Sequence, residues 1–127
     1  MKHLLLVALG GGMGAACRHM ISLAYLRYLG PAFPWGTITV NILGSLIMGI
    51  FVEVLAQKLN GSNELRFLIA TGFLGGFTTF SSFSLDVAVL WERGEPWLAF
   101  IYVTASVVLS IGALFCGLAA TRHFFAA

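Results

Sequence analysis

Two stretches of this chain, Tyr28 to Val52 and Trp97 to Thr121, run without a single charged residue, and Phe67 to Leu85 is a third. A bilayer core about 30 Å thick takes about 20 helical residues to cross. Stretches of this length therefore restrict the chain to helices in lipid. The N-terminal uncharged stretch, His3 to Cys17, is shorter, but the apolar pattern resumes after Arg18 and continues to Leu29. The expectation is one all-helical domain over residues 1–127 with four spans, at about 4–29, 36–58, 65–91 and 97–121. Composition agrees. Only 9% of the residues are charged and 59% are hydrophobic, against about 25% charged in a soluble domain. There is too little polar surface to coat a water-soluble globule.

The connections carry turn chemistry. Gly30-Pro31-Ala32-Phe33-Pro34, Asn60-Gly61-Ser62-Asn63 and Arg93-Gly94-Glu95-Pro96 separate the spans, and these are residues that stop helices. Trp35, Trp91 and Trp97 stand at span ends, where amphipathic rings favour the headgroup region. Four spans place Lys2, Lys58, Arg66 and Arg122 on one side and Arg27 and Arg93 on the other. Positive charge in short loops sets orientation. A four-to-two split is a weak bias, compatible with insertion in one direction or both. Gly14-Ala15-Ala16-Cys17 faintly resembles a lipoprotein signal, but the apolar pattern continues beyond it. Cys17 and Cys116 lie within spans with no metal-ligand spacing, and read as small packing residues.

Polar residues at membrane depth are functional candidates. Arg18 in the first span either snorkels or pairs structurally, or it attracts anions. Gly10 and Gly14 on the same helix form a small-xxx-small pair that permits close helix approach. On the second span, Thr37, Asn41, Ser45, Gly49 and Glu53 recur at i+4 and share one face. That face is either an interhelical hydrogen-bonding seam or the wall of a pore. Asn41 is its sharpest member, because its amide both donates and accepts. On the fourth span, Tyr102, Ser106 and Ser110 repeat the spacing. Such hydroxyls either bond back to their own helix or face water.

The third span reads Thr71-Gly72-Phe73-Leu74-Gly75-Gly76-Phe77-Thr78-Thr79-Phe80-Ser81-Ser82-Phe83-Ser84. Glycine costs about 1 kcal/mol in a helix interior relative to alanine. The string predicts a break in the helix near Gly75 to Thr78. Backbone freed there needs protein or a water-filled cavity to satisfy it, and carbonyls at such breaks coordinate cations. It is no phosphate loop, since the lysine of that motif is missing. Phe80 and Phe83 are three apart on one face. Aromatic rings carry a positive edge, so ring edges beside hydroxyls suit a small anion held weakly enough to leave. These residues do not separate fluoride from chloride.

Three strings together resemble the Fluc (CrcB) family of fluoride channels. They are Gly-x-x-Gly-Ala-x-x-Arg at Gly11 to Arg18, Gly-Thr-x-x-Val-Asn-x-x-Gly at Gly36 to Gly44, and Gly-Phe-x-Gly-Gly-x-Thr-Thr-Phe-Ser-x-Phe-Ser at Gly72 to Ser84. The resemblance covers nearly the whole chain, and the third string is the most specific. It implies an antiparallel, dual-topology homodimer in the bacterial inner membrane with two fluoride pores. It implies passive export of cytoplasmic fluoride down its gradient, which confers fluoride resistance. By this likeness Asn41 donates to fluoride, and Phe80 and Phe83 present ring edges to it. Thr79 and Ser81 neighbour the pore, and Tyr102, Ser106 and Ser110 form a polar track. Arg18 matches a first-helix arginine at the vestibule, and the backbone carbonyls of Gly75 and Thr78 match those that hold a central, structural sodium ion. His19-Met20, where an aromatic is common, and Ser82, where threonine is usual, are mild departures.

Readings of other classes fare less well. A small proton-coupled multidrug exporter needs a carboxylate in its first span, and this chain has Arg18 there instead. An accessory subunit without transport would use the polar stripes only for packing. No nucleophile–base pair or metal cluster points to an enzyme.

Overall fold

The computed structural model describes all 127 residues and is entirely helical. Helix α1 is Lys2–Leu29 and α2 is Trp35–Lys58. The third span, Asn63–Glu92, is built in pieces. Its first part, α3, covers residues 63–77 as an α-turn Asn63–Leu65, a π-helical stretch Arg66–Leu74 and a last α-turn Gly75–Phe77. Its second part is α4, Phe80–Glu92. Helix α5, Pro96–Ala126, closes the chain. All four spans are long and apolar enough to cross a membrane. The last exceeds its predicted end at Thr121 by five residues.

Short loops force neighbouring spans to run antiparallel. Gly30 and Gly94 take left-handed φ values of 76° and 79° at the turns, a conformation open to glycine without steric cost. Arg93 then ties these two loops together, donating from Nη1 to the carbonyls of Pro31 (3.0 Å) and Ala32 (3.3 Å). At the opposite end Ser62 caps α3 by accepting from the Leu65 amide.

Two seams set the architecture: α1 lies along α3, and α2 lies along α5. Without hydrophobic expulsion between helices in lipid, close van der Waals approach drives association. Gly14 shows how close. A Cβ built there would lie 2.0 Å from the Phe73 carbonyl oxygen. The other seam is locked by charge as well as contact, with Arg122 Nε donating to Glu53 Oε2 at 2.8 Å and Gln57 donating to Glu53 Oε1 at 2.6 Å. A core of Ile38, Phe83, Leu90, Ala99 and Tyr102 sits where α2, α4 and α5 meet. Only 19 of 127 residues are buried, and much of the outward surface is Leu, Ile, Val and Phe, as lipid solvation permits. Trp35, Trp91 and Trp97 are all exposed at the end of the bundle that holds the first and third loops.

The break in the third span falls later than the glycines predict. Gly75, Gly76 and Phe77 are helical, and Thr78 and Thr79 are extended, at φ −82°, ψ 159° and φ −152°, ψ 124°. The glycines serve packing instead: a Cβ at Gly76 would stand 2.4 Å from the Gly11 carbonyl oxygen.

Candidate functional site

The break is held open by a side chain from another helix. Asn41 on α2 donates from Nδ2 to the Thr79 carbonyl at 3.0 Å and accepts the Thr79 amide at Oδ1 at 2.7 Å. A primary amide presents the same donor and acceptor as a peptide group, so Asn41 replaces the backbone partners that a continuous helix would supply. Because an amide N–H faces Oδ1, the orientation of the Asn41 side chain is settled by chemistry. One Nδ2 hydrogen is left over. Gly44, one turn on, receives Thr78: a Cβ there would meet the Thr78 methyl at 2.3 Å. The spacing Asn41-x-x-Gly44 is thus one device, with a grip on Thr79 and a recess for Thr78.

Local bonds finish the break on both sides. Thr78 makes the last helical bond of α3, its amide (3.0 Å) and its hydroxyl (2.9 Å) both donating to the Leu74 carbonyl. Thr79 starts α4 as its N-cap, accepting the Ser82 amide at 3.1 Å, the usual role of a hydroxyl at that position. The Thr79 amide would have bonded the Gly75 carbonyl in an unbroken helix, and it is spent on Asn41. Arg18 reaches across from α1 and donates from Nε to the Gly76 carbonyl at 3.1 Å.

Beside the break lies a groove of about 280 Å³ between α2, α4 and α5. Asn41, Thr79, Phe80, Phe83, Ser106 and Ser110, predicted from three different helices, all line it, together with Ser45 and Thr78. The Ser106 and Ser110 hydroxyls are buried and make no hydrogen bond. A buried polar group left unpaired costs about 1–3 kcal/mol, and native structures rarely tolerate it without a reason. Phe80 and Phe83 form one edge of the groove, their centroids 5.6 Å apart and their planes at 51°. They differ in setting: Phe83 is 9% exposed and Phe80 is 77% exposed.

Ser81, Arg18 and Tyr102 lie outside the groove lining. Ser81 is exposed, with its hydroxyl 3.4 Å from that of Thr79. Tyr102 packs against Phe83 and Phe33 with centroids 5.2 and 5.4 Å away, and its hydroxyl donates to Asp86 Oδ2 at 2.9 Å. Asp86 belongs to a second cavity, of about 230 Å³, near the first and third loops, which Thr37 and Arg93 also line. The role of Asp86 as partner to Tyr102 left no trace in local spacing, since the two sit on different helices. Ser45 is the groove residue that its stripe did place. That stripe on α2 divides: Asn41 and Ser45 face the groove, whereas Gly49 abuts the Leu114 carbonyl of α5 and Glu53 pairs with Arg122. The stripe is thus a packing seam over Gly49 and Glu53, and its Asn41–Ser45 part lines the groove.

Known proteins resemble this chain over most of its length. Residues 5–118 match the family described as CrcB-like protein, Camphor Resistance (CrcB). A protein of Chelativorans sp. (strain BNC1) named fluoride-specific ion channel FluC is 62% identical over 118 residues, covering 93% of this chain and 94% of that one. A protein of the same name from Mesorhizobium japonicum is 56% identical over the same shares. Another, from Agrobacterium fabrum, is 50% identical over 98% of this chain and its own full length. The match runs from the first span into the fourth and takes in every residue of the groove, and this chain belongs to the CrcB-like family.

Proposed function

We propose that this protein is a fluoride-selective channel that lets cytoplasmic fluoride leave the cell down its electrochemical gradient and so confers fluoride resistance. It is an ion channel and not an enzyme. The groove carries this conclusion: two buried, unpartnered serine hydroxyls and one spare amide hydrogen of Asn41 face a wall edged by two phenylalanine rings. A dehydrating anion needs donors to replace its water, and the hydroxyls need an acceptor. Fluoride is small enough to sit between them. The ring edges of Phe80 and Phe83 add weak positive potential without a full charge that would trap the ion.

The functional unit in this reading is an antiparallel homodimer, inserted in both directions, in the bacterial inner membrane. Phe80, largely exposed on the single chain, would be covered by the second copy and complete the pore from that side. The break at Thr78–Thr79 lies near the middle of the Asn63–Glu92 span, which supports a groove at mid-membrane in this reading. Arg18 would stand at the vestibule, drawing anions with a guanidinium whose Nε is already fixed on Gly76.

A structural sodium ion at the dimer centre fits the donors present. The Gly75 carbonyl has lost its helical partner to Asn41, and the extended Thr78 turns its own carbonyl away from the helix. Gly75 is exposed, and no atom lies closer than 3.7 Å to a Cβ built there. Neutral carbonyl oxygens suit a hard monovalent cation. One chain offers two, too few for a closed shell, and a two-fold related copy would bring the matching pair. The ion would tie the two broken helices together and neutralise carbonyl dipoles.

The test is efflux from liposomes loaded with fluoride or chloride, read by ion-selective electrodes after a potassium ionophore is added. Fast fluoride release without matching chloride release, independent of ATP and of a proton gradient, is the expected result. No fluoride release from well-folded dimers would reject the channel reading.

A further inference from the structure

At the end of the bundle that carries the N-terminus, the second loop and the C-terminus, three of the four Lys and Arg side chains are engaged. Lys2 pairs with Glu64, Arg122 with Glu53, and Lys58 lies over the Phe125 ring at 4.9 Å. Arg66 is exposed and has no partner in the chain. It opens the π-helical stretch, and with Ala70 and Thr71 it forms one wall of a groove of about 300 Å³ whose other wall is Met48, Val52 and Leu55 on α2. In a π-helix the hydrogen bond runs from i to i+5. The wider turn therefore aligns Arg66 with both Ala70 and Thr71 on one face, where an ordinary helix would turn Thr71 aside. The Thr71 hydroxyl makes no hydrogen bond within the chain and is exposed.

We infer that this groove binds one anionic glycerophospholipid. The polarity changes along it in the order such a lipid requires. Arg66, near the start of the third span, meets the phosphodiester with charge-assisted hydrogen bonds. Thr71 is deeper by five residues, about one turn of the wider helix, and donates to an ester carbonyl of the glycerol. Met48, Val52 and Leu55 line the path of an acyl chain. An anionic headgroup is favoured over a zwitterionic one because Arg66 is the Lys or Arg side chain of this end left without a partner, and no carboxylate lines the groove to hold a headgroup amine. The lipid would fill the gap that the π-helical stretch leaves against α2, and so would brace the helix that leads into the break.

Native mass spectrometry of the full-length protein, delipidated in detergent and titrated with phosphatidylglycerol or phosphatidylcholine, tests this. Phosphatidylglycerol adducts are expected at one per chain, with phosphatidylcholine clearly weaker. Arg66→Gln should weaken phosphatidylglycerol retention about tenfold, as loss of a charge-assisted bond implies, and Arg66→Lys should restore part of it. Val52→Trp, which fills the groove from its exposed wall and leaves Arg66 in place, should expel the lipid as well. Equal retention by wild type, Arg66→Gln and Val52→Trp would overturn the site. Loss of the dimer in Arg66→Gln with lipid retention unchanged would overturn it too, and would assign the groove to a second copy of the chain.

Discussion

Asn41 and Thr79 exchange two hydrogen bonds, 3.0 and 2.7 Å long, across helices that are 38 residues apart in sequence. One side chain thereby does three things. It terminates the ladder of α3, leaves the carbonyl of Gly75 without its helical partner, and retains one unpaired amide hydrogen. Asn41→Asp keeps an acceptor for the Thr79 amide but sets a carboxylate oxygen against the Thr79 carbonyl and a negative charge beside the anion path. Fluoride efflux from liposomes should fall by more than about tenfold, an added barrier above about 1.4 kcal/mol. The protein should still elute with its native oligomeric size.

Ser106 and Ser110 separate transport from packing. If their hydroxyls only filled space, removing unpaired polar groups would raise stability by about 1 kcal/mol each and leave flux alone. The expected outcome for Ser106→Ala with Ser110→Ala is a melting temperature in detergent equal to or above wild type, together with about tenfold slower fluoride efflux. Slow efflux with a lowered melting temperature would mean that the hydroxyls act in folding.

Phe80 and Phe83 should respond differently to the same change. Phe83 is buried beside Tyr102, so Phe83→Ile disturbs the core and costs about 1–3 kcal/mol of stability. Phe80 is exposed on the single chain and lies outside its core, so Phe80→Ile should lower thermal stability less than Phe83→Ile does while slowing fluoride efflux. Paired melting curves and efflux traces read both effects.

Tyr102→Phe removes the hydroxyl that donates to Asp86 and leaves that carboxylate without its partner. Loss of about 1.5–3 kcal/mol is expected, the range for a hydrogen bond to a charged group. The double variant with Asp86→Asn should recover part of it, and chemical denaturation of the four proteins reads the coupling directly. Fluoride selectivity should be unaffected, because this hydroxyl points away from the groove.

Gly14→Ala and Gly44→Ala ask about two kinds of contact. The first puts a methyl group 2.0 Å from a backbone carbonyl oxygen that cannot yield without moving α3. It should cost more than about 1 kcal/mol and reduce the yield of folded protein. The second meets side chains and no backbone, the Thr78 methyl at 2.3 Å and the Phe77 ring at 3.2 Å. It should preserve more of the fold but displace the break, so that transport suffers more than stability.

The four spans were legible because a helix in lipid announces itself by length and by missing charge, both local properties. Asn41, Phe80, Phe83, Ser106 and Ser110 were legible as polar or aromatic spacings on separate helices, Thr79 only through the family likeness, and the structure brings all six to one groove. The break was expected near Gly75 to Thr78 and falls at the last of these residues and at Thr79, since glycine weakens a helix but does not end one that is packed on both sides. What ends it is Asn41, a partner remote in sequence. The π-helical stretch Arg66–Leu74 and the Tyr102–Asp86 bond were invisible for the same reason. Neither has a spacing signature, and each depends on which helix comes to lie alongside.

The two ends of the bundle differ chemically, with three tryptophans at one and Lys2, Lys58, Arg66 and Arg122 at the other. In an antiparallel pair each face of the membrane would receive one end of each kind. The assembly then has neither a front nor a back, and current at equal and opposite voltages would be equal with fluoride matched on both sides. Such a conduit cannot rectify. Any one-way protection that it gives a cell comes from the fluoride imbalance across the membrane and from no asymmetry in the protein.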